Sequence, residues 1–219
     1  MSLSYWLDLA NHSGGILYLM AALLTLALTV IAERTWVLRD ITRHGEALAQ
    51  ALAPIRTRDR AALECLRETR AKPLHGSLLE TTLELLPVNE QILARRLDEV
   101  ILRHVPLLDR RLWVLDTTVT LAPLLGLLGT IIGMFEAFGV LAAPGTQPHA
   151  VTGGVAEALV ATAAGLLIAV LGLVFFNGLN ERVRLAVHQL ETLKVMLVNR
   201  FGQQDTALPH DRVLDSGVG

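Results

Sequence analysis

Three apolar stretches alternate with polar parts along the chain. The first is the run GILYLMAALLTLALTVIA at residues 15–32, the second lies at residues 117–141 and the third at residues 155–179. A helix rises about 1.5 Å per residue, so each run is about long enough to cross a hydrocarbon core of roughly 30 Å. The pattern therefore predicts three transmembrane helices.

The segment between the first two apolar runs, residues 33–116, has the spacing of amphipathic helices. ALECLRETR and EQILARRLDEVILRHV place apolar residues three and four positions apart. Asn89 is predicted to cap a helix that runs on into the second span. This helix is expected to bend near Pro106 and again near Pro123.

The third span is predicted to continue as one long amphipathic helix over residues 180–204. Val183, Leu190, Leu193 and Leu197 form a single apolar stripe there. The following residues, 205–219, have no apolar period and are expected to be disordered. We therefore predict an all-α membrane protein with three transmembrane helices extended into long cytoplasmic helices.

The distribution of charge gives the orientation. All 19 Lys and Arg residues lie either between Arg34 and Arg111 or from Arg182 onward, and short basic loops stay on the cytoplasmic side of a membrane. The predicted order is an outer, periplasmic N-terminus (1–14), span one (15–32), a cytoplasmic helical region (33–116), span two (117–141), a periplasmic link (142–154), span three (155–179), a cytoplasmic helix (180–204) and the disordered tail (205–219).

Composition agrees with a membrane protein. Hydrophobic residues make up 52% of the chain and charged residues only 18%. The one cysteine, Cys65, is predicted to be a free thiol in the cytoplasm. No phosphate loop, zinc-ligand spacing or nucleophile triad occurs in the sequence, so we expect no enzymatic activity, metal, cofactor or nucleic-acid partner.

Small residues recur at helical spacing in the second and third spans. Gly126, Gly129 and Gly133 lie three and four positions apart in span two, and Gly165 and Ala169 lie four apart in span three. Such stripes let helix backbones approach closely in lipid. We predict that these residues pack the two spans together as a hairpin.

Four polar residues lie inside the same two spans: Glu136 and Thr130 in span two, and Glu157 and Thr162 in span three. An ionised side chain at mid-bilayer costs roughly 2.5 to 3.5 kcal/mol, so each glutamate needs an explanation. Counted from the link, each glutamate lies five or six residues outward of its threonine. An antiparallel hairpin would therefore place the glutamates at one depth and the threonines at another.

We interpret these residues as a polar face that surrounds a shared lumen when hairpins assemble. A carboxyl that is neutral or charged near physiological pH can load and release protons. Each glutamate also has a simpler interpretation. Glu136 would extend to the outer interface, and Glu157 would be an interfacial acid stabilised by the dipole of a helix that begins one turn before it.

Two stretches of these spans resemble the MotA/TolQ/ExbB proton channel family, most closely its ExbB members. They are APLLGLLGTIIGMFEAF and GGVAEALVATAAGLLIAVLGLVFFNGLNER, within roughly residues 116–185. The resemblance implies that Glu157, Thr130 and Thr162 form the proton pathway. It also implies an inner-membrane homopentamer around the single transmembrane helix of an ExbD-like partner with a membrane aspartate, which acts on a TonB-like protein for import across the outer membrane.

Two alternatives remain open at this stage. One is a TolQ-like subunit of the Tol-Pal envelope system, which differs from an ExbB-like subunit in its partner rather than its chemistry. The other is a non-conducting membrane scaffold, in which the small-residue stripes only hold helices together. A solute carrier is not favoured, because the chain has no inverted repeat or broken helix for a midplane site.

Overall fold

The computed structural model describes residues 15–57, 59–70, 72–141 and 148–203. These residues form the helices α1 (Ile16–Leu52), α2 (Arg60–Arg70), α3 (Pro73–Leu85), α4 (Glu90–Leu108), α5 (Leu112–Leu141) and α6 (Pro148–Phe201). Within the described ranges, β pairing is limited to one isolated parallel bridge between Asn89 and Gln203. The predicted all-α class is confirmed.

Three helical stretches are long and apolar enough to cross a membrane, as predicted. They lie in α1, in the stretch from α4 through α5, and in α6, where the most apolar windows have mean hydropathies of 2.2, 1.9 and 2.6. At most 28% of each window is buried inside the chain. The predicted N-terminal segment, residues 142–147 of the predicted link and the predicted disordered tail lie outside the described residues.

The chain forms two compact units, and the first contains the apolar spans. Its described part comprises residues 15–38 and 109–183. Ile16 and Met20 of α1 are buried together with Ala122 of α5 and Ile168 of α6. Partly buried side chains surround this cluster, namely Leu17, Leu24, Leu125, Ile132 and Ala164. The start of α1 therefore packs against both α5 and α6.

The predicted continuous helix from Asn89 into the second span is wrong. The chain breaks between α4 and α5 at residues 109–111, where Arg111 has a left-handed backbone with φ of 69°. Such a backbone conformation is unfavourable for residues other than glycine. The Arg111 guanidinium donates a hydrogen bond to the Glu33 carboxylate at this point, so a tertiary ion pair accompanies the break.

The second unit comprises residues 39–108 and, among described residues, 184–203. Leu190, Leu193 and Leu197 of the predicted stripe are fully buried in it. The predicted cap of α4 is confirmed, because the Asn89 side-chain oxygen accepts a hydrogen bond from the backbone N–H of Gln91 at 2.8 Å. The stripe and the cap are both local features, which explains why the pattern of residues predicts them.

The last residues of α6 hold the end of α1 within this unit. The Arg200 guanidinium donates hydrogen bonds to the backbone carbonyl oxygens of Leu52 and Ala53, the latter at 2.8 Å. Carbonyl groups at a helix end have no partner inside the helix, and Pro54 follows directly and restricts the residue before it. Arg200 therefore satisfies the carbonyl groups where α1 must stop.

A buried histidine lies near the contact of α1 with α6 in the second unit. His75 of α3 is 2% exposed, and no described residue forms a hydrogen bond with its Nδ1. A Cβ atom at Gly45 would lie 3.0 Å from His75 Nε2 and 2.7 Å from the Gln189 side-chain oxygen. Burial, with the nearby charges of His44 and Lys72, lowers the pKa of His75 to about 4.

We predict that Leu197→Ala destabilises the protein by about 2–5 kcal/mol, because it leaves a cavity in a fully buried position. Leu185→Ala is the matched control, since Leu185 lies on the same helix and is 49% exposed. Thermal unfolding of the detergent-solubilised chain measures both. Equal effects of the two substitutions would contradict the buried position of Leu197.

We predict a loss of stability in acid that depends on His75. Between pH 6.5 and about 4 the unfolded state binds a proton at this residue and the folded state does not, so stability falls as the pH is lowered through that range. The effect is at most about 3 kcal/mol. His75→Gln should reduce the slope of a plot of melting temperature against pH over this range. His188→Gln, at an exposed site, should leave this slope unchanged.

Candidate functional site in the helical hairpin

Helices α5 and α6 touch through small residues. A Cβ atom added to Gly133 would lie 2.8 Å from the Cβ of Ala158, and one added to Gly129 would lie 2.8 Å from the Cβ of Ala161. These distances are shorter than ordinary carbon–carbon contacts. Glycine at both positions therefore allows the two backbones to approach, as in other helix pairs in lipid.

The same contact continues toward the other end of the hairpin. A Cβ atom at Gly126 would lie 3.0 Å from the Cα of Thr162, and one at Gly165 would collide with the carbonyl oxygen of Ala122. Ala169, one turn beyond Gly165, is partly buried. The glycines of the predicted stripes on both spans thus lie along the hairpin contact.

One contact residue, Gly154, lies in the segment predicted to be the periplasmic link. α6 begins earlier, at Pro148, and a Cβ atom at Gly154 would lie 3.1 Å from the Cβ of Ala137. The pattern could have revealed this, because Gly154, Ala158 and Gly165 continue the spacing of the stripe backward along the chain.

The two threonines make different hydrogen bonds. The Thr162 hydroxyl donates across the hairpin to the backbone carbonyl of Gly126 at 2.8 Å. The Thr130 hydroxyl donates to the carbonyl of Leu127 within its own helix at 2.7 Å. Gly129 lies against Ala161, so Thr130 is level with residue 160, two residues or about 3 Å from the depth of Thr162. The two threonines therefore lie at nearly the same depth.

The two glutamates are similarly close in depth. Gly154 lies against Ala137, so Glu136 is level with residue 155, two residues from Glu157. This offset corresponds to a rise of about 3 Å along the helix. Glu136 is exposed and Glu157 is partly buried in the single chain.

The structure does not bring Glu157 and Thr162 onto one face of α6. Successive residues are about 100° apart around a helix, so these two lie about 140° apart. Ala164 is only about 20° from Glu157 in this projection, and it packs against the cluster that contains Ile16 and Met20 of α1. Glu157 therefore lies on the side of α6 that faces α1.

The same division holds on α5. Ile132 also packs against the cluster at the start of α1. Glu136 is about 40° from Ile132 around the helix, whereas Thr130 is about 160° from it. The hairpin thus has a carboxylate side, with Glu136 and Glu157, and a hydroxyl side, with Thr130 and Thr162. In the single chain the four polar residues thus lie on two sides of the hairpin, and the polar face around a shared lumen stays a prediction.

The position of Glu157 within α6 also differs from the expectation. It lies nine residues after Pro148, the first residue of the helix, and not one turn from a helix start. The favourable effect of the helix dipole on an acid falls off within the first turn. The dipole therefore does not explain a carboxylate at this position.

Comparison with known proteins gives these residues a context. A model of the MotA/TolQ/ExbB proton channel family matches residues 70–192, which is more than half of the chain. The chain belongs to this family. The matched range includes all of α4 and α5 and both sides of the hairpin, whereas α1 precedes it. As a family member with three apolar helices, it is a multi-pass membrane protein.

Individual relatives agree with this family. The "Putative biopolymer transport protein ExbB-like 3" of Synechocystis is 32% identical over 182 residues, which cover 80% of this chain and 86% of that protein. The "Putative biopolymer transport protein ExbB homolog" of Methanothermobacter thermautotrophicus is 26% identical and covers 87% of this chain and 68% of its own length. The "Tol-Pal system protein TolQ" of Haemophilus influenzae is 38% identical over 82 residues, 37% of this chain and 36% of that protein.

We predict that Gly165→Ala disrupts the hairpin while Gly178→Ala does not. Both glycines lie in α6, but a Cβ atom at Gly165 would collide with backbone and one at Gly178 would meet no atom within 4 Å. Alanine favours a helix by up to about 1 kcal/mol relative to glycine, so Gly178→Ala should be neutral or stabilising. Melting temperatures in detergent measure both, and a stabilised Gly165→Ala would contradict the contact.

Proposed function

We propose that this chain is an ExbB-like proton-channel subunit of an inner-membrane complex. With an ExbD-like partner it converts proton-motive force into work on a TonB-like protein for import across the outer membrane. The observation that supports this most is the carboxylate side of the hairpin. There, Glu136 and Glu157 lie within about 3 Å in depth, in a chain of the proton channel family.

Glu157 is the proposed proton carrier. A charged group in the hydrocarbon region is costly and in membrane proteins is usually functional, and the helix dipole does not account for this one. The described part of α1 begins near the level of Gly129. A Cβ atom added to Gly129 would lie 3.5 Å from the Cγ2 atom of Ile16, near the start of α1. Both carboxylates lie outward of that level, so the described part of α1 does not cover them.

The two sides of the hairpin have a consequence for the assembly. The face of a helix that contacts one partner helix spans about 100°. Glu157 and Thr162 are about 140° apart around α6, so one partner helix would not contact both. We propose a homopentamer in which Glu157 of one copy and the hydroxyl side of its neighbour meet the membrane aspartate of an ExbD-like helix. Thr130 and Thr162 line the lumen in this arrangement.

The surface of the spans is consistent with lipid and helix partners. Exposed large apolar side chains cover both helices of the hairpin, among them Leu124, Ile131, Phe135, Leu167 and Val174. Basic residues at 34–111 and from 182 onward support an arrangement with the N-terminus and the link in the periplasm. The C-terminus is then cytoplasmic.

A TolQ-like role in the Tol-Pal system is the second candidate, supported by the Haemophilus influenzae relative, which matches 37% of this chain. The chemistry at Glu157 would be the same and the partner would differ. Copurification of the chain with each candidate partner separates the two roles.

We predict that Glu157→Gln abolishes energy-dependent import, with a loss of at least about 100-fold, because glutamine cannot exchange a proton. The test expresses the chain with its ExbD-like partner and measures uptake of an outer-membrane transport substrate at equal membrane levels. Glu191→Gln, an exposed glutamate on the same helix, is the matched control and should keep full activity.

The assembly must be followed in the same cells. Loss of uptake with intact copurification of the partner supports a role for the carboxylate in proton transfer. Full uptake by Glu157→Gln would contradict the proposal. The scaffold interpretation would then be preferred, since it depends only on the glycine contact between α5 and α6.

A further inference from the structure

A buried arginine lies in the first unit, just beyond the first apolar run. Arg34 of α1 is 5% exposed, and its Nε has no hydrogen-bond partner among the described residues. Removing a guanidinium from water costs several kcal/mol unless an anion and hydrogen bonds compensate. An unpaired polar atom on a buried charge therefore calls for a counter-ion.

Among the described residues, the charges that act on Arg34 do not supply this counter-ion. Glu33 attracts the Arg34 charge, while Arg111 and Arg110 repel it. The Glu33 carboxylate already accepts a hydrogen bond from the Arg111 guanidinium. Three guanidinium groups thus share one engaged carboxylate, which leaves two positive charges uncompensated among these four residues.

The surroundings of this basic cluster are those of a membrane interface. Trp36 lies two residues after Arg34 and is 78% exposed, and Trp113 lies two residues after Arg111 and is 70% exposed. Tryptophan is enriched where lipid headgroups meet the hydrocarbon region, because its ring is amphipathic. The two exposed tryptophans, one on α1 and one on α5, therefore indicate that the arginines lie at the depth of the lipid headgroups.

We propose that Arg34, Arg110 and Arg111 bind the phosphate of an anionic membrane phospholipid between the inner ends of α1 and α5. A planar guanidinium donates parallel hydrogen bonds to two phosphate oxygens, which suits the unpaired donor of Arg34. The acyl chains of the same lipid would cover apolar surface beside the tryptophans. The lipid thereby joins α1 to α5 close to the break at residues 109–111.

The test uses the full-length chain in neutral detergent after removal of bound lipid. Dioleoyl phosphatidylglycerol is titrated, and the dissociation constant is obtained from the rise in melting temperature. Dioleoylglycerol, with the same acyl chains and no phosphate, and inorganic phosphate, with no acyl chains, are titrated in parallel. The variants are Arg34→Gln and Arg110→Gln, with Arg103→Gln as the control, since Arg103 pairs with Glu99 in the second unit.

We expect phosphatidylglycerol to stabilise the wild type and the control alike, and the dissociation constant to rise by about tenfold or more in Arg34→Gln. Without lipid, Arg34→Gln should be as stable as the wild type or more stable, because it removes a buried unpaired charge. A purely structural role would instead lower stability with and without lipid.

Three results would overturn the proposal. One is an unchanged dissociation constant in both Arg34→Gln and Arg110→Gln. Another is equal stabilisation by dioleoylglycerol, which would assign the effect to the acyl chains alone. The third is equal stabilisation by inorganic phosphate, which would make the ligand a soluble anion. Arg110→Gln, at an exposed position, decides the question if Arg34→Gln does not fold.

Discussion

The contact between the backbones of α5 and α6 determines the rest of the membrane-spanning unit. Lipid tails are as apolar as leucine, so hydrophobic burial does not draw two helices together there, and close packing has to do so. Gly129 and Gly133 allow that packing because a Cβ at either position would overlap the opposing alanine. The hydrogen bond from Thr162 to the Gly126 carbonyl adds a polar connection.

This contact also sets the rotation of each helix about its axis. Once the glycines and alanines face each other, every other residue on α5 and α6 has a defined direction. Glu136 and Glu157 turn toward the side that faces α1, and Thr130 and Thr162 turn away from it. A family member that moves protons would then need neighbouring subunits to bring carboxylates and hydroxyls together. The small residues thus influence the chemistry without taking part in it.

The two units are stabilised by different means. The second unit uses large buried leucines such as Leu93 and Leu197, a capped helix at Asn89, and ion pairs such as that between Lys194 and Asp98 at 2.5 Å. These are the devices of a protein in water, where burying apolar surface is the main driving force. The first unit exposes many large apolar side chains, such as Phe135 and Leu167, and packs α5 against α6 through alanine and glycine.

Several features could be predicted from the sequence because they depend on local spacing. Three apolar runs, the small-residue stripes and the leucine stripe of α6 repeat at helical periods, and the Asn89 cap needs only its neighbouring residues. The helix class and the hairpin contact followed from these patterns. Helical periodicity alone predicts which residues share a face of one helix. It therefore also predicts that Glu157 and Thr162, five residues apart, lie on different faces of α6.

Other features were decided by tertiary structure. The register between α5 and α6 depends on which small residues meet, and it sets the depth of each polar residue. The break at Arg111 accompanies an ion pair to Glu33, which is 78 residues away in the chain. The burial of His75 and Arg34 depends on helices distant in sequence. The sequence by itself determined which segments are helical and apolar, since those properties are local, whereas the environment of each charge depended on which helices came together.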